Sequence, residues 1–146
     1  MALKAYLAGP WFNEEQMARL EMVKKMITAS GLKVFSPKDE SMFKQGDNPK
    51  QILDLNVKAI KDCDCIVVIT DGKDTGTIWE AGYAYAIGRP ILYVWLSHQS
   101  WQKFNLMLGA SGAVVMNETE LAQQLTFFNS YDCFDLTKDK GGILYE

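Results

Sequence analysis

Cys65-Ile66-Val67-Val68-Ile69-Thr70 leads at once into Asp71-Gly72-Lys73-Asp74-Thr75-Gly76 and then into Thr77-Ile78-Trp79-Glu80-Ala81-Gly82-Tyr83-Ala84. The first six residues are apolar almost throughout, with no polar alternation and five β-branched residues in a row, the pattern of a strand covered on both faces. The next six are mostly turn formers. The last eight open a helix that ends near Gly88, and after Glu80 it is made largely of small residues, Ala81, Gly82, Ala84 and Ala86. Thr77-x-x-Glu80 reads as a capping box that starts this helix, with Glu80 reaching back to a backbone N–H. A doubly covered strand, a short turn and a helix make the first part of a right-handed βαβ unit in a parallel sheet.

The same alternation runs outward from this stretch. Residues 4–9 read as a first strand. A helix follows over 13–31, with Asn13 as N-cap, Gln16 completing a capping box, and Gly31 ending it. Its apolar residues Leu20, Val23, Met26 and Ile27 fall at helical spacing. Residues 33–37 form a short strand, and 38–48 read as a polar loop. Asn48-Pro49 opens a second helix with proline at N1, running to about Cys63. Residues 89–96 read as another buried strand, 113–117 as a fifth, and 118–131 as a last helix, while the tail from Asp132 has no clear period. The expectation is an α/β domain spanning 1–146, a doubly wound, five-stranded parallel sheet with helices on both faces. There is no internal repeat and no linker. On the second helix Ile52, Ala59, Ile60 and Cys63 form an apolar stripe, with Asn56 inside it. Lys50, Asp54, Lys58 and Lys61 share the opposite face, where Asp54 is expected to pair with Lys58.

A chain of 146 residues suits one hydrophobic core. Its net charge of −3 and the lack of a basic run argue against a nucleic-acid partner. An odd set of cysteines, Cys63, Cys65 and Cys133, resembles neither a disulfide framework nor a zinc site, so buried thiols in a reducing compartment are expected. The single histidine, His98, cannot build a multi-histidine metal centre. No apolar run approaches the roughly 20 residues of a membrane span. The start of the chain enters a strand without a signal-peptide core, so a cytoplasmic protein is expected.

Doubly wound sheets bind ligands at the C-terminal ends of their strands. Here that edge holds Gly9-Pro10-Trp11-Phe12, Pro37 to Ser41, Asp71 to Thr77, and the segment from Ser97. It carries no P-loop and no G-x-G-x-x-G. It offers acids beside aromatics instead: Asp74 and Glu80 with Tyr6, Trp11, Phe12 and Trp79. Aromatic faces suit a planar base or a sugar ring. Two carboxylates in different environments suit glycosidic-bond chemistry, one acting at the anomeric carbon and the other protonating the leaving group. From the residues alone other readings stay open. Asp74 can be a turn residue, Glu80 a cap, and Trp11 and Phe12 core. A buried Asn56 needs a hydrogen-bond partner, which either a structural network or a group at the sheet edge can supply.

Three segments carry a family resemblance. AYLAGPWFNEEQ (5–16), DTGTIWEAGYAYAIGRPI (74–91) and FNLML (104–108) together resemble the nucleoside 2-deoxyribosyltransferases, in order and spacing, across almost the whole chain. The resemblance implies a flavodoxin-like fold and ping-pong transfer of 2-deoxyribose between nucleobases, without cofactor or metal. It implies Glu80 as the nucleophile at C1′ that forms a covalent deoxyribosyl-enzyme, Asp74 as the acid that helps protonate the departing base, and Tyr6 as the hydroxyl that orients the nucleophile. Gly9, Trp11 and Phe12 would border the substrate. Asn105 would reach the 5′-OH from a neighbouring subunit, making the protein a homo-oligomer, in this family commonly a hexamer built of dimers. Tyr145 and Glu146 would lie over the site. The substrates implied are deoxynucleosides and free nucleobases. Asn56 stands where many relatives have an aspartate and Ser41 where many have a base-reading glutamine, so base preference departs from the family pattern. Competing readings are an N-glycoside hydrolase of deoxynucleosides or nucleoside 5′-monophosphates, and a non-catalytic nucleotide-binding module.

Overall fold

The computed structural model describes residues 2–137 and 142–146. In chain order the elements are β1 (Lys4–Ala8), α1 (Glu14–Ala29), β2 (Lys33–Phe35), α2 (Pro37–Glu40), α3 (Pro49–Asp62), β3 (Cys65–Ile69) and α4 (Thr75–Ala86), then β4 (Ile91–Val94), β5 (Lys103–Phe104), α5 (Leu106–Ser111), β6 (Ala113–Val115), α6 (Glu118–Tyr131) and β7 (Leu144–Tyr145). The main sheet has five parallel strands in the order β2-β1-β3-β4-β6. Its direction of growth reverses between β1 and β3, the switch point where such sheets open a crevice.

The burial of β3 on both faces explains the layers. Cys65, Val67 and Ile69 join Leu20, Val23 and Ile27 of α1 and Leu121, Leu125 and Phe128 of α6 in one core. Ile66 and Val68 join Ala59 and Ile60 of α3 and Ala81 and Ala84 of α4 in the other. β1 divides the same way, Ala5 and Leu7 against Tyr6 and Ala8. Alternation along each strand therefore feeds two apolar layers, and the sequence shows an unbroken apolar run. Fully burying one such Leu, Ile or Val side chain contributes about 1.5–3 kcal/mol. No helix among the described residues is long and apolar enough to cross a membrane.

Several expectations need correction. The strand at 33–37 stops at Phe35 because Pro37 opens a helical turn, α2, so the segment 38–48 does not begin as a loop. Glu40 caps that turn by accepting from the Ser36 N–H at 3.1 Å. Gln16 completes its cap on the N–H of Phe12 rather than that of Asn13, while Asn13 accepts from Gln16 as expected. Asp54 pairs with Lys50, not Lys58, because Lys58 is held by Asp62 at 2.5 Å one turn further on. Cys63 and Cys65 are buried thiols, but Cys133 is exposed. Burial pushes the Cys63 thiol up to about 12, which keeps it protonated and inert. Like α2, the short elements β5, α5 and β7 stand outside the expected alternation. The tail expected to lack a period ends in β7, which pairs parallel with β5 through Lys103↔Leu144 and Phe104↔Tyr145. Residues 138–141 of that tail lie outside the described residues.

Candidate active site

Tyr6 is the third residue of β1 and is fully buried. The pleat turns it toward α3 and α4, where its ring stacks on Phe35 with centroids 5.4 Å apart. Its hydroxyl donates to Glu80 Oε2 on α4. This bond joins residues 74 apart in sequence across the β1/β3 switch point. Glu80 itself is partly buried.

The start of α4 differs from the expected capping box. Asp74 is the N-cap, and its Oδ2 accepts from the backbone N–H and the hydroxyl of Thr77, at 2.9 and 2.8 Å. Thr77 is thus the third helical residue and Glu80 the sixth, in the second turn. Glu80 is not a cap. The macrodipole fades beyond the first turn, so the group that holds its carboxylate is the Tyr6 hydroxyl and not the helix terminus.

Burial pushes the Glu80 carboxyl up to about 7, the Asp74 charge adds to that rise, and the Tyr6 hydrogen bond opposes it. The phenol of Tyr6 is raised in turn, by burial first and by the neighbouring Glu80 second, so it stays a donor. A carboxyl poised near neutrality beside a locked phenol can act as a nucleophile when ionised and can exchange a proton close to physiological pH.

The other sequence candidates fall in separate places. Asp71 is buried and accepts from the N–H groups of Leu96 and Ser97, at 3.2 and 2.6 Å, so it ties the exit of β4 to the turn after β3. Gly9 is closely packed: a Cβ there would come within 3.1 Å of Ile69. Trp11 packs partly against the core on the far side of the sheet from Tyr6, and Phe12 beside it is 74% exposed. Trp79 lies on the outside of α4, stacked on Tyr83. Ser41 donates to Asn56 Oδ1 at 2.5 Å. Ser41 is buried and Asn56 only partly so; the two departures from the family pattern thus satisfy each other. Asn105 is the N-cap of α5, accepting from Met107 and Leu108. Tyr145 lies against Gly109, where a Cβ would sit 2.3 Å from its Cε1. Glu146 is held between β5 and α5 by bonds to Phe104 and Leu106.

Two cavities of about 550 and 420 Å³ open beside this cluster, past the ends of β3 and β4. They share Thr70, Lys73, Trp95, Lys103 and Glu146, and the smaller one reaches Asn105 and Met107. Tyr6, Asp74 and Glu80 line neither. Sequence reasoning passed over Lys73, Trp95 and Lys103. The only signal for them was position, at the ends of strands. Among the described residues no group of three or more His, Cys, Asp or Glu side chains could hold a metal ion.

The fold and the Tyr6–Glu80 pair define a flavodoxin-like α/β protein with a tyrosine-held carboxylate at its switch point. The chain belongs to the nucleoside 2-deoxyribosyltransferase family, whose model matches residues 5–123. Its fold is shared with a 2-deoxyribosyltransferase of Bacillus psychrosaccharolyticus (TM-score 0.73, 24% identity, 90% of this chain and 97% of that one). A conserved protein of Enterococcus faecalis V583 is also similar (0.76, 20%, 87% and 99%), as is the CMP N-glycosidase BcmB of Clostridium botulinum (0.59, 23%, 85% and 98%). No curated protein gives a significant sequence match.

Proposed function

We propose that this chain, as one domain over 1–146, moves 2-deoxyribose from one nucleobase to another in nucleoside salvage. Glu80 attacks C1′ of a deoxynucleoside as the carboxylate, the bond to the base breaks, and a deoxyribosyl ester on Glu80 carries the sugar to the second base. Asp74 contacts the leaving base and helps protonate it, passing on a proton taken up from water, and is an anion again once the base has left. Its Oδ2 is occupied by Thr77, so Oδ1 is the oxygen that faces this task. Tyr6 holds Glu80 in one rotamer and shares the negative charge while the ester is absent. Gly9, Trp11 and Phe12 line the base, with Ser41 and Asn56 reading its edge. A neighbouring subunit's Asn105, with Tyr145 and Glu146, closes the site over the sugar in a cytoplasmic homo-oligomer. No cofactor is required, because the ester takes up the charge of the carboxylate and the departing base is neutralised by the proton that Asp74 passes on.

The observation that carries this reading is the hydrogen bond from Tyr6 to Glu80 at the switch point. A cap or a surface glutamate would need no buried phenol. Membership of the family supports glycosyl transfer or hydrolysis, and similarity to a CMP N-glycosidase keeps hydrolysis as the second reading. Incubating a deoxynucleoside with and without a free acceptor base separates them. Exchange of the base supports transfer. Free deoxyribose at the same rate in both incubations shows hydrolysis.

A further inference from the structure

Tyr6 can serve Glu80 only while its phenol keeps one direction. A tyrosine hydroxyl lies at the far end of the ring, so a small swing about the Cα–Cβ bond carries it off the carboxylate. The hydrogen bond to Glu80 Oε2 holds that end. The ring itself is held by neighbours across the sheet. In register, Tyr6 stands beside Ile66 of β3 on one side and Phe35 of β2 on the other. β3 has β4 beyond it, whereas β2 is the edge strand of the main sheet.

Of the three β2 residues, Val34 packs on the layer of α1 and Phe35 on the layer of α3 and α4, while Lys33 is exposed. Phe35 is therefore the one β2 side chain beside Tyr6. Its ring lies nearly parallel to the phenol, with 15° between planes and 5.4 Å between centroids, an offset stack. Phe35 is partly exposed and Tyr6 fully buried, so the phenyl ring closes the phenol off from water at the sheet edge. Lys4 lies two residues before Tyr6, on the same face of β1. Its ammonium sits 5.8 Å from the Phe35 centroid, a cation–π contact that holds the phenyl ring in its turn. Lys4, Phe35, Tyr6 and Glu80 are thus linked in that order.

We propose that Phe35 is a positioning residue for the transfer reaction, acting through Tyr6: its stacked ring fixes the phenol, and so fixes the hydrogen bond that orients Glu80. The inference rests on the role proposed above for Glu80. An aliphatic side chain at this position fills space but presents no flat face, and the phenol gains room to swing toward the sheet edge. Glu80 is then aimed at C1′ for a smaller share of the time. The Tyr6 hydrogen bond also favours the ionised carboxylate against its burial, so a loosened phenol leaves Glu80 protonated up to a higher pH.

The test is base exchange measured against pH in a double-mutant cycle of Phe35→Leu and Tyr6→Phe. Phe35→Tyr is the variant that keeps a ring, and circular dichroism checks the folding of each protein. Phe35→Leu should lower kcat by about 3- to 10-fold with a smaller change in KM, because the stack can lend the hydrogen bond no more than its own energy. The rising limb of its pH profile should move up by about half a unit, in the same direction as in Tyr6→Phe. Added to Tyr6→Phe, Phe35→Leu should change neither kcat nor the limb further. Phe35→Tyr should match the parent in both. An NMR titration of the Glu80 carboxyl carbon should show the same shifts without turnover. An unmoved limb and titration in folded Phe35→Leu overturn the positioning role. So does an equal loss of kcat in both Tyr6 backgrounds, which makes Phe35 a general packing residue, or a change confined to KM, which makes it a wall of the base pocket. A Glu80→Gln protein that still exchanges bases overturns the role of Glu80 and this proposal with it, whereas an inactive one beside an unmoved limb in Phe35→Leu overturns this proposal alone.

Discussion

At the residue scale, Glu80 carries most of the account. A carboxyl held at about 7 is half ionised near neutral pH, and the nucleophile must be the anion. The kcat/KM for a deoxynucleoside should therefore rise with pH through about 7 and level off above it. A profile that falls through that range would make Glu80 the acid. The same shift acts on stability with the opposite sense. Between the unfolded value of 4.5 and about 7 the folded state holds the extra proton. This group's contribution is thus complete below the unfolded value and is lost as pH rises through the folded one. Glu80→Gln should flatten that slope and stabilise the protein at pH 8 by roughly 2–3 kcal/mol, measured by denaturant titration at two pH values. Tyr6→Phe removes one hydrogen bond to a charged group and should lower kcat by about 10- to 100-fold with a smaller change in KM. A change in KM alone would give Tyr6 a binding role instead.

At the element scale, α4 depends on Asp74. Asn serves as N-cap as well as Asp does, whereas Ala costs about 1 kcal/mol. Asp74→Ala should lower the melting temperature by about 2–4 °C. Asp74→Asn should leave it in place, lower the rate with poor leaving groups, and move the rising limb of the pH profile to lower pH, because a negative charge beside Glu80 is gone. An unmoved limb would uncouple the two acids. The start of this helix also shows where local pattern was ambiguous. Asp74, Thr77 and Glu80 stand three apart, so Asp-x-x-Thr and Thr-x-x-Glu both read as helix starts, and the side chain that took the Thr77 N–H settled it. β3 was legible because burial on both faces leaves an unbroken apolar run. β5 and β7, two residues each, are too short for any period, and only their pairing defines them. The Tyr6–Glu80 contact was legible through family resemblance alone, since no local signal links residues so far apart.

At the scale of the whole molecule, an apolar surface runs over α4 and α5. Tyr85, Leu106 and Met107 are 64%, 56% and 76% exposed. Between the helices lies a groove of about 260 Å³ lined by Ile78, Gly82, Tyr85, Met107 and Leu108. Exposed apolar patches of this kind mark contact surfaces, and this one adjoins Asn105. Sedimentation should give a dimer or a larger assembly, and Met107→Glu should dissociate it with loss of transfer. A fully active monomer would remove the role given to the neighbour's Asn105. The two core layers and the sheet order need no partner, so the dissociated protein should keep its helical circular dichroism.

The most direct measurement is the mass of Glu80 after reaction with a slow deoxynucleoside substrate, quenched in acid and digested to peptides. The peptide carrying Glu80 should gain the mass of one deoxyribosyl group, the gain should disappear on adding an acceptor base, and it should be absent from Glu80→Gln. An active enzyme that never shows this adduct, or an adduct on another residue, would contradict a covalent role for Glu80.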